Sequence, residues 1–312
     1  MNARWAVCGT GRMAARFLET LKSCGKNVTA VISSDLKRAR EFALGRGVEN
    51  YYSYENVDFD KFDIAYVATV NKRHMPDSCM FLSKGKSVLC EKPIAVNTDE
   101  LKIMIETARN NDALLAEALW TAYMPAIQKA KELIDGGAIG RIKNLDSRFC
   151  IYIPKSFSRL YDAIGGGALL DVGIYNLFLA QYLLGEFGDI KAYLEYDDQG
   201  IDLTDKIYLS TPQGDAVLTS SIKKKLPSIK AVVTGEEGKI ILPFFIGASK
   251  VILKTKDGNK KFSYPKKYIG YEYEIEYFEN LHLNNQKQSP VFDLQKSYQL
   301  LEVMQKILSK NI

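Results

Sequence analysis

The sequence predicts an α/β chain in two parts: an N-terminal domain on a parallel sheet, then an α+β domain with a large, mainly antiparallel open sheet. Three observations predict it. Strand-like and helix-like stretches alternate over the first 120 residues, the rhythm of right-handed crossovers in a parallel sheet. After Trp120 the rhythm changes, and from Asp189 onward most segments alternate apolar and polar residues, as half-covered antiparallel strands do. The length of 312 residues suits about two domains, placed here at 1–120 and 121–312.

The first element is an apolar strand, Trp5 to Cys8, followed at once by Gly9-Thr10-Gly11-Arg12-Met13-Ala14. Ala14, Phe17, Leu18 and Leu21 then recur at helical spacing, and Gly25 closes the helix. Strand, glycine turn and helix in this order form the setting of a dinucleotide fingerprint, which makes the first part a Rossmann domain. Gly9 permits the tight turn, Gly11 lets the backbone approach a pyrophosphate, and Ala14 takes the place of the third glycine. The amides at the helix start, from Thr10 to Met13, would hold the phosphates. The second strand, Val28 to Ile32, ends where an NAD site usually places an acid, about 20 residues past the glycines. Ser33 and Ser34 stand there, with Lys37 and Arg38 just beyond. Hydroxyls near cations accommodate a 2′-phosphate better than a carboxylate would, so NADP is expected, with NAD possible. Asp35 reads as the N-cap of the following helix.

Strands continue at 62–69, 88–90 and 113–118, with helices between. Thr69 at the end of the first of these strands, and Asn71 and His74 just after it, fall beside the crevice at the strand ends. Ser87 to Cys90 runs straight into Glu91-Lys92-Pro93. Strand ends border the ligand crevice in open α/β sheets, so Lys92 is a cation delivered to that crevice and Pro93 stiffens its turn. Glu91 and Lys92 are therefore candidate cofactor-site residues. His74 reads equally well as a hydrogen-bonding residue at a helix start.

In the second part a helix carrying Ile127, Ala130 and Leu133 precedes a strand near 141–149. Strands are expected at 190–196, 205–210, 216–222, 229–234, 239–242 and 250–255, then helices carrying Tyr271 and Leu300. One segment differs from its surroundings. Gly165-Gly166-Gly167 leads into a helix apolar nearly all round, the pattern of a buried helix. Asp171 and Tyr175 lie four apart on it, on one face near its start. A carboxylate and a phenol there are costly unless partnered, which makes the pair a candidate catalytic site.

Composition sets further bounds. Hydrophobic content is 46%, charged content 25% and net charge +5, with short basic runs spread along the chain. That balance is ordinary for a soluble globular protein and gives no nucleic-acid footprint. No apolar run approaches the ~18 residues of a membrane span. The five cysteines are scattered without a CxxC pair, and His74 and His282 are the only histidines, so no metal site is expected. Scattered cysteines fit a reducing cytoplasm.

Together, Gly9-Thr10-Gly11, Glu91-Lys92-Pro93 and Gly165-Gly166-Gly167…Asp171-Val172-Gly173 resemble the Gfo/Idh/MocA oxidoreductase family. The C-terminal run from Tyr271 resembles its closing helices, so the resemblance spans nearly the whole chain. Many members carry histidine four residues after the aspartate; this chain carries Tyr175. That departure, with Ala118-Leu119-Trp120 and Arg159-Leu160-Tyr161-Asp162, resembles the branch of glucose–fructose oxidoreductase, dihydrodiol dehydrogenase and NADP-dependent xylose dehydrogenase. The resemblance implies a Lys92–Pro93 bond that is often cis, and an open sheet that often forms a homo-oligomer, a dimer or tetramer. It implies a sugar or cyclic diol substrate, with the missing histidine arguing against inositols. Tyr175 is the expected acid/base, with Lys92 as the cation that lets a phenol of pKa about 10 act near neutrality; Lys92 as proton acceptor is the alternative. Asp171 would orient substrate or Lys92, while Trp120, Tyr123 and Arg159 would contact substrate. A reading from another class is a nucleotide-sensing regulator that kept the fold without the chemistry.

Overall fold

The computed structural model describes residues 3–162 and 164–309, apart from the side chains of Ser158 and Arg159. By internal contacts the chain divides into two compact units, Met1–Leu119 with Lys267–Leu301, and Trp120–Lys266 with Glu302–Ile312. A single cut in the sequence thus misses one feature: the segment from Lys267 to Leu301 packs with the first unit.

The first unit runs β1 (Arg4–Cys8), α1 (Arg12–Ser23), β2 (Asn27–Ser33), α2 (Leu36–Leu44), β3 (Asn50–Ser53), β4 (Ile64–Val67), α3 (His74–Leu82), β5 (Ser87–Glu91), α4 (Thr98–Asn110) and β6 (Leu115–Ala118). Its sheet has the order β3-β2-β1-β4-β5-β6 with every pairing parallel, the doubly wound order that opens a crevice beyond the strand ends. α1 buries Ala14, Phe17, Leu18 and Leu21 along one stripe. Asn97 caps α4 by accepting from the Glu100 amide at 2.8 Å, and Glu100 reaches back to the Val96 amide at 3.3 Å, a near capping box. β3 has no strong sequence signal because it is a four-residue edge strand.

The second unit begins with a short 3-10 turn from Trp120 to Tyr123. It continues with α5 (Pro125–Asp135), β7 (Ile142–Tyr152), α6 (Ile174–Leu184), β8 (Ile190–Tyr196), β9 (Asp202–Thr211), β10 (Gly214–Ser221), β11 (Lys223–Gly235), β12 (Gly238–Leu242), β13 (Lys250–Thr255) and β14 (Gly258–Ser263). The eight strands lie in the order β14-β13-β12-β11-β7-β10-β9-β8. Only β10 with β7 is parallel among the described pairings. β8 alternates half-buried and exposed residues along its length, so one face of this edge is covered and the other faces solvent. β14 escapes prediction because its sequence, Gly-Asn-Lys-Lys-Phe-Ser, is polar; lysines on an edge strand discourage unwanted pairing.

The chain closes with α7 (Tyr271–Leu283) and α8 (Leu294–Leu308). α7 joins the first unit through aromatic packing: Phe278 lies 5.9 Å from Trp5 and Tyr271 lies 6.1 Å from Phe17, centroid to centroid. Its Glu279 accepts from the Trp5 indole at 3.2 Å and pairs with Lys26.

Candidate active site

In the first unit the glycine turn follows β1. Gly9 has φ +119°, and a Cβ there would collide with the Ala68 carbonyl, so only glycine lets β1 turn so close to β4. Among the described residues, beyond its own chain neighbours and local helix backbone, nothing lies within 4 Å of where a Cβ on Gly11 would stand. Gly11 is the N-cap of α1, and no described side chain caps that end. Amides at such a terminus need an acceptor, and a phosphate is a natural one. Thr10 lies in this turn, and Arg12 and Met13 are the first residues of α1. The Thr69 hydroxyl is buried and has no hydrogen-bond partner among described groups, so it too fits a polar ligand. These features fit a dinucleotide held by its pyrophosphate.

At the end of β2, Ser33 is buried and Ser34 accepts from the Arg38 guanidinium at 3.1 Å. Asp35 is the N-cap of α2, accepting from the Arg38 amide at 2.7 Å. The carboxylate nearest the ribose position is therefore engaged with its own helix.

His74 is 1% exposed. Its Nδ1 lies 2.8 Å from the Pro93 carbonyl and its Nε2 3.3 Å from the Thr69 carbonyl. Burial lowers its pKa, with the nearby Lys92 charge acting in the same direction. A neutral imidazole has one N–H, so the short contact is Nδ1–H donating to Pro93. The ring ties the loop after β4 to the turn after β5. Asn71 sits in the 3-10 turn just before it.

That turn is anchored by acids. The Lys92–Pro93 bond is cis. Glu91 accepts from the Tyr66 hydroxyl with one oxygen and from the Lys92 amide at 3.2 Å with the other. Behind it, Glu117 accepts from the Ile94 amide at 3.0 Å, and Glu274 of α7 is 1% exposed. Burial raises the pKa of Glu117 while the Lys92 charge opposes the rise. Burial and then the Glu91 charge push Glu274 well above the usual carboxylate range. Sequence reasoning overlooked Glu117 and Glu274. The signal was there: an acid inside the apolar strand Leu115–Ala118 is costly unless it holds something.

In the second unit, Tyr175 is 8% exposed at the start of α6. Its hydroxyl oxygen accepts from the Trp120 indole N–H at 3.1 Å. Its ring lies 5.6 Å from Phe149, which stands edge-on to Phe245. Trp120 lies against Gly247, where a Cβ would approach the indole to 2.7 Å. Trp120 was expected as a substrate wall; its bond to Tyr175 gives it a further part. Tyr123 is buried in the same 3-10 turn. Asp171 is half-buried and lies in a five-residue π-turn, Leu169–Gly173, that precedes α6. A regular helix start was expected; single π-turns of this kind recur at functional sites. The side chain of Arg159 lies outside the described residues. Among the described residues no group of three or more His, Cys, Asp or Glu could hold a metal, and no helix is long and apolar enough to cross a membrane.

Comparison with known proteins agrees with this architecture. The profile of the Gfo/Idh/MocA oxidoreductase family, NAD-binding Rossmann fold, matches residues 3–119, and that of the GFO/IDH/MocA C-terminal domain matches residues 127–241. Trans-1,2-dihydrobenzene-1,2-diol dehydrogenase of Xenopus tropicalis is 30% identical over 329 residues, covering 99% of this chain and 98% of its own. The scyllo-inositol 2-dehydrogenase (NADP(+)) of Bacillus subtilis is 30% identical over 319 residues, covering 97% and 95%. Among solved structures, aldose-aldose oxidoreductase from Caulobacter crescentus, complexed with glycerol, superposes with a TM-score of 0.88 at 21% identity, covering 100% of this chain and 99% of the other. That likeness bears on the fold.

Proposed function

The chain belongs to the Gfo/Idh/MocA oxidoreductase family, and from that premise we propose an NADP(H)-preferring dehydrogenase or reductase acting on a carbinol carbon of a sugar or cyclic polyol, with Tyr175 as acid/base and Lys92 assisting. The observation that carries this reading is the Trp120 N–H bonded to the Tyr175 oxygen. An indole can only donate, so this bond is made to the phenol's oxygen and not by its O–H. The same N–H stabilises the phenolate once that proton has left.

A bound nicotinamide supplies or takes up the hydride. The chain does the rest. The uncapped start of α1 and the Gly9–Gly11 turn would hold the pyrophosphate. Ser33, Ser34 and Arg38 would face the adenosine ribose, and a guanidinium beside hydroxyls favours the 2′-phosphate of NADP. The NADP(+)-dependent relative points the same way. Lys92 supplies positive charge where the carbinol oxygen gains negative charge. Asp171, one turn before Tyr175, would orient a substrate hydroxyl.

The relatives act on diols and on an inositol. Cyclic polyols therefore belong in the substrate class, and the expectation against inositols is withdrawn. The test is NADP(H)-dependent turnover across aldoses, inositols and cyclic diols. Tyr175→Phe and Lys92→Ala should each lower kcat by about 10²–10⁴ while NADPH still binds to Tyr175→Phe. Full turnover in both variants would refute the assignment.

A further inference from the structure

β9 carries two carboxylates with no part in the scheme above. Asp202 is 3% exposed and Asp205 is fully buried. Residues three apart on a regular strand point to opposite faces. Here Tyr196 pairs with Asp202 and Glu195 with Thr204, so Leu203 is an extra residue on β9. This bulge shifts the alternation by one and turns Asp202 to the face that Asp205 occupies. Asp202 accepts from the Leu169 amide at 2.6 Å. Gly167, at φ +95°, lies so close that a Cβ there would overlap the Asp202 carboxylate. The glycine run before the π-turn thus lets the backbone close onto this acid.

Asp205 stands behind. Neither of its oxygens meets a donor among the described groups. Two ionised carboxylates side by side in a buried place repel, whereas a proton on one gives it a hydrogen bond to the other. We propose that Asp202 and Asp205 are positioning residues: the two carboxyls share one proton, and through the Leu169 amide they hold the π-turn that sets Asp171 and Tyr175. This rests on the reading of Tyr175 given above.

Three further observations agree. Burial and the Asp202 charge hold Asp205 well above the usual carboxylate range. The amides of Leu169 and Ala168 counter the effect of burial on Asp202 and keep it the more acidic partner. Among the described residues, the Tyr196 hydroxyl on β8 and the Cys150 thiol on β7 also feel the Asp205 charge. On its other side the same segment is pinned by Asn176, which donates to Ser220 Oγ at 3.0 Å and the Thr219 carbonyl at 3.1 Å, and accepts from Ser147 at 2.6 Å.

The test compares Asp205→Asn with Asp205→Ala. An asparagine amide permanently supplies the donor; alanine removes it. D205N should keep kcat within about threefold, and D205A should lose about tenfold or more with NADPH affinity unchanged, a factor of ten being 1.4 kcal/mol. The pH dependence of melting gives a second readout that needs no turnover. A carboxyl whose folded pKa is raised is protonated in both states below the unfolded value of about 4. Stability then falls as pH rises toward the folded value. D205N has no such loss, so its melting temperature should gain on the parent's as pH rises from 4 to 8. Equal kcat in D205A and the parent, or a D205N difference that stays flat with pH, would overturn the proposal. Should D205A not fold, the D205N melting curve decides alone. Failure of the Tyr175 reading shows separately, as undiminished turnover in Tyr175→Phe.

Discussion

Two turns carry the residues assigned to chemistry, and each is held from behind by carboxylates in a different way. The turn bearing Lys92 rests on Glu91 and Glu117, which accept from the Lys92 and Ile94 amides. Those acids have a hydroxyl donor in Tyr66 and a cation in Lys92 to offset their charge. The π-turn before Tyr175 rests on Asp202, which accepts from the Leu169 amide, and the charged group bearing on its neighbour Asp205 is Asp202 itself. The first arrangement balances acids with positive charge and a phenol, the second with a shared proton. A buried acid can therefore hold a backbone amide only when something neutralises it, and the choice of neutraliser decides which variants the turn tolerates.

The sharpest way to break this comparison is to combine the two turns. If Lys92 and Tyr175 serve one oxygen, Lys92→Ala/Tyr175→Phe should be about as slow as the worse single variant, because residues that act as a unit are not additive. Losses that multiply would separate the two turns and give each its own step. Steady-state kinetics on the best substrate of the polyol panel measures this.

The next effect concerns the second turn alone. Trp120→Phe keeps the ring and removes the N–H on Tyr175. One hydrogen bond of this kind is worth about 1 kcal/mol, so kcat should fall about fivefold and its alkaline limb should move, while NADPH affinity stays. An unchanged pH profile would make Trp120 a wall and nothing more.

Much of this was legible in the sequence, and the unread part has a physical pattern. The fingerprint at Gly9, the N-cap at Asp35 and the Lys92 turn are local: each needs residues within one strand, turn and helix, so spacing reveals them. The Trp120–Tyr175 bond joins positions 55 apart, and no periodicity announces such a pair. The reach of Asp202 depends on a one-residue bulge, which alternation counting hides, since it moves a side chain to the other face without changing composition. Tyr271 and Phe278 were assigned to the second part because they follow its strands; their packing on Trp5 and Phe17 was settled by tertiary contact.

Cofactor choice is a smaller effect in the first unit. Arg38→Ala should weaken NADPH about tenfold relative to NADH, the worth of one charge-assisted hydrogen bond. Equal loss of both cofactors, by fluorescence titration, would show that Arg38 supports α2 without reading the 2′-phosphate.

The smallest effect probes the balance of acids behind Lys92. Glu274 has one buried oxygen without a hydrogen-bond partner among the described residues, and burial followed by the Glu91 charge raises its pKa. Below the unfolded value of about 4.3 the group is protonated whether the chain is folded or not. Above it the unfolded chain loses the proton while the folded chain keeps it, so stability declines up to the folded pKa. Glu274→Gln cannot ionise in either state and escapes that decline. Its melting temperature should exceed the parent's by about 2–4 °C at pH 7, roughly 1 kcal/mol, and the gap should close near pH 4. A gap of the opposite sign would mean that Glu274 is ionised in the folded chain and that the charge of Lys92 reaches all three glutamates. The two turns would then differ more sharply, one neutralised wholly by a cation and the other by a proton.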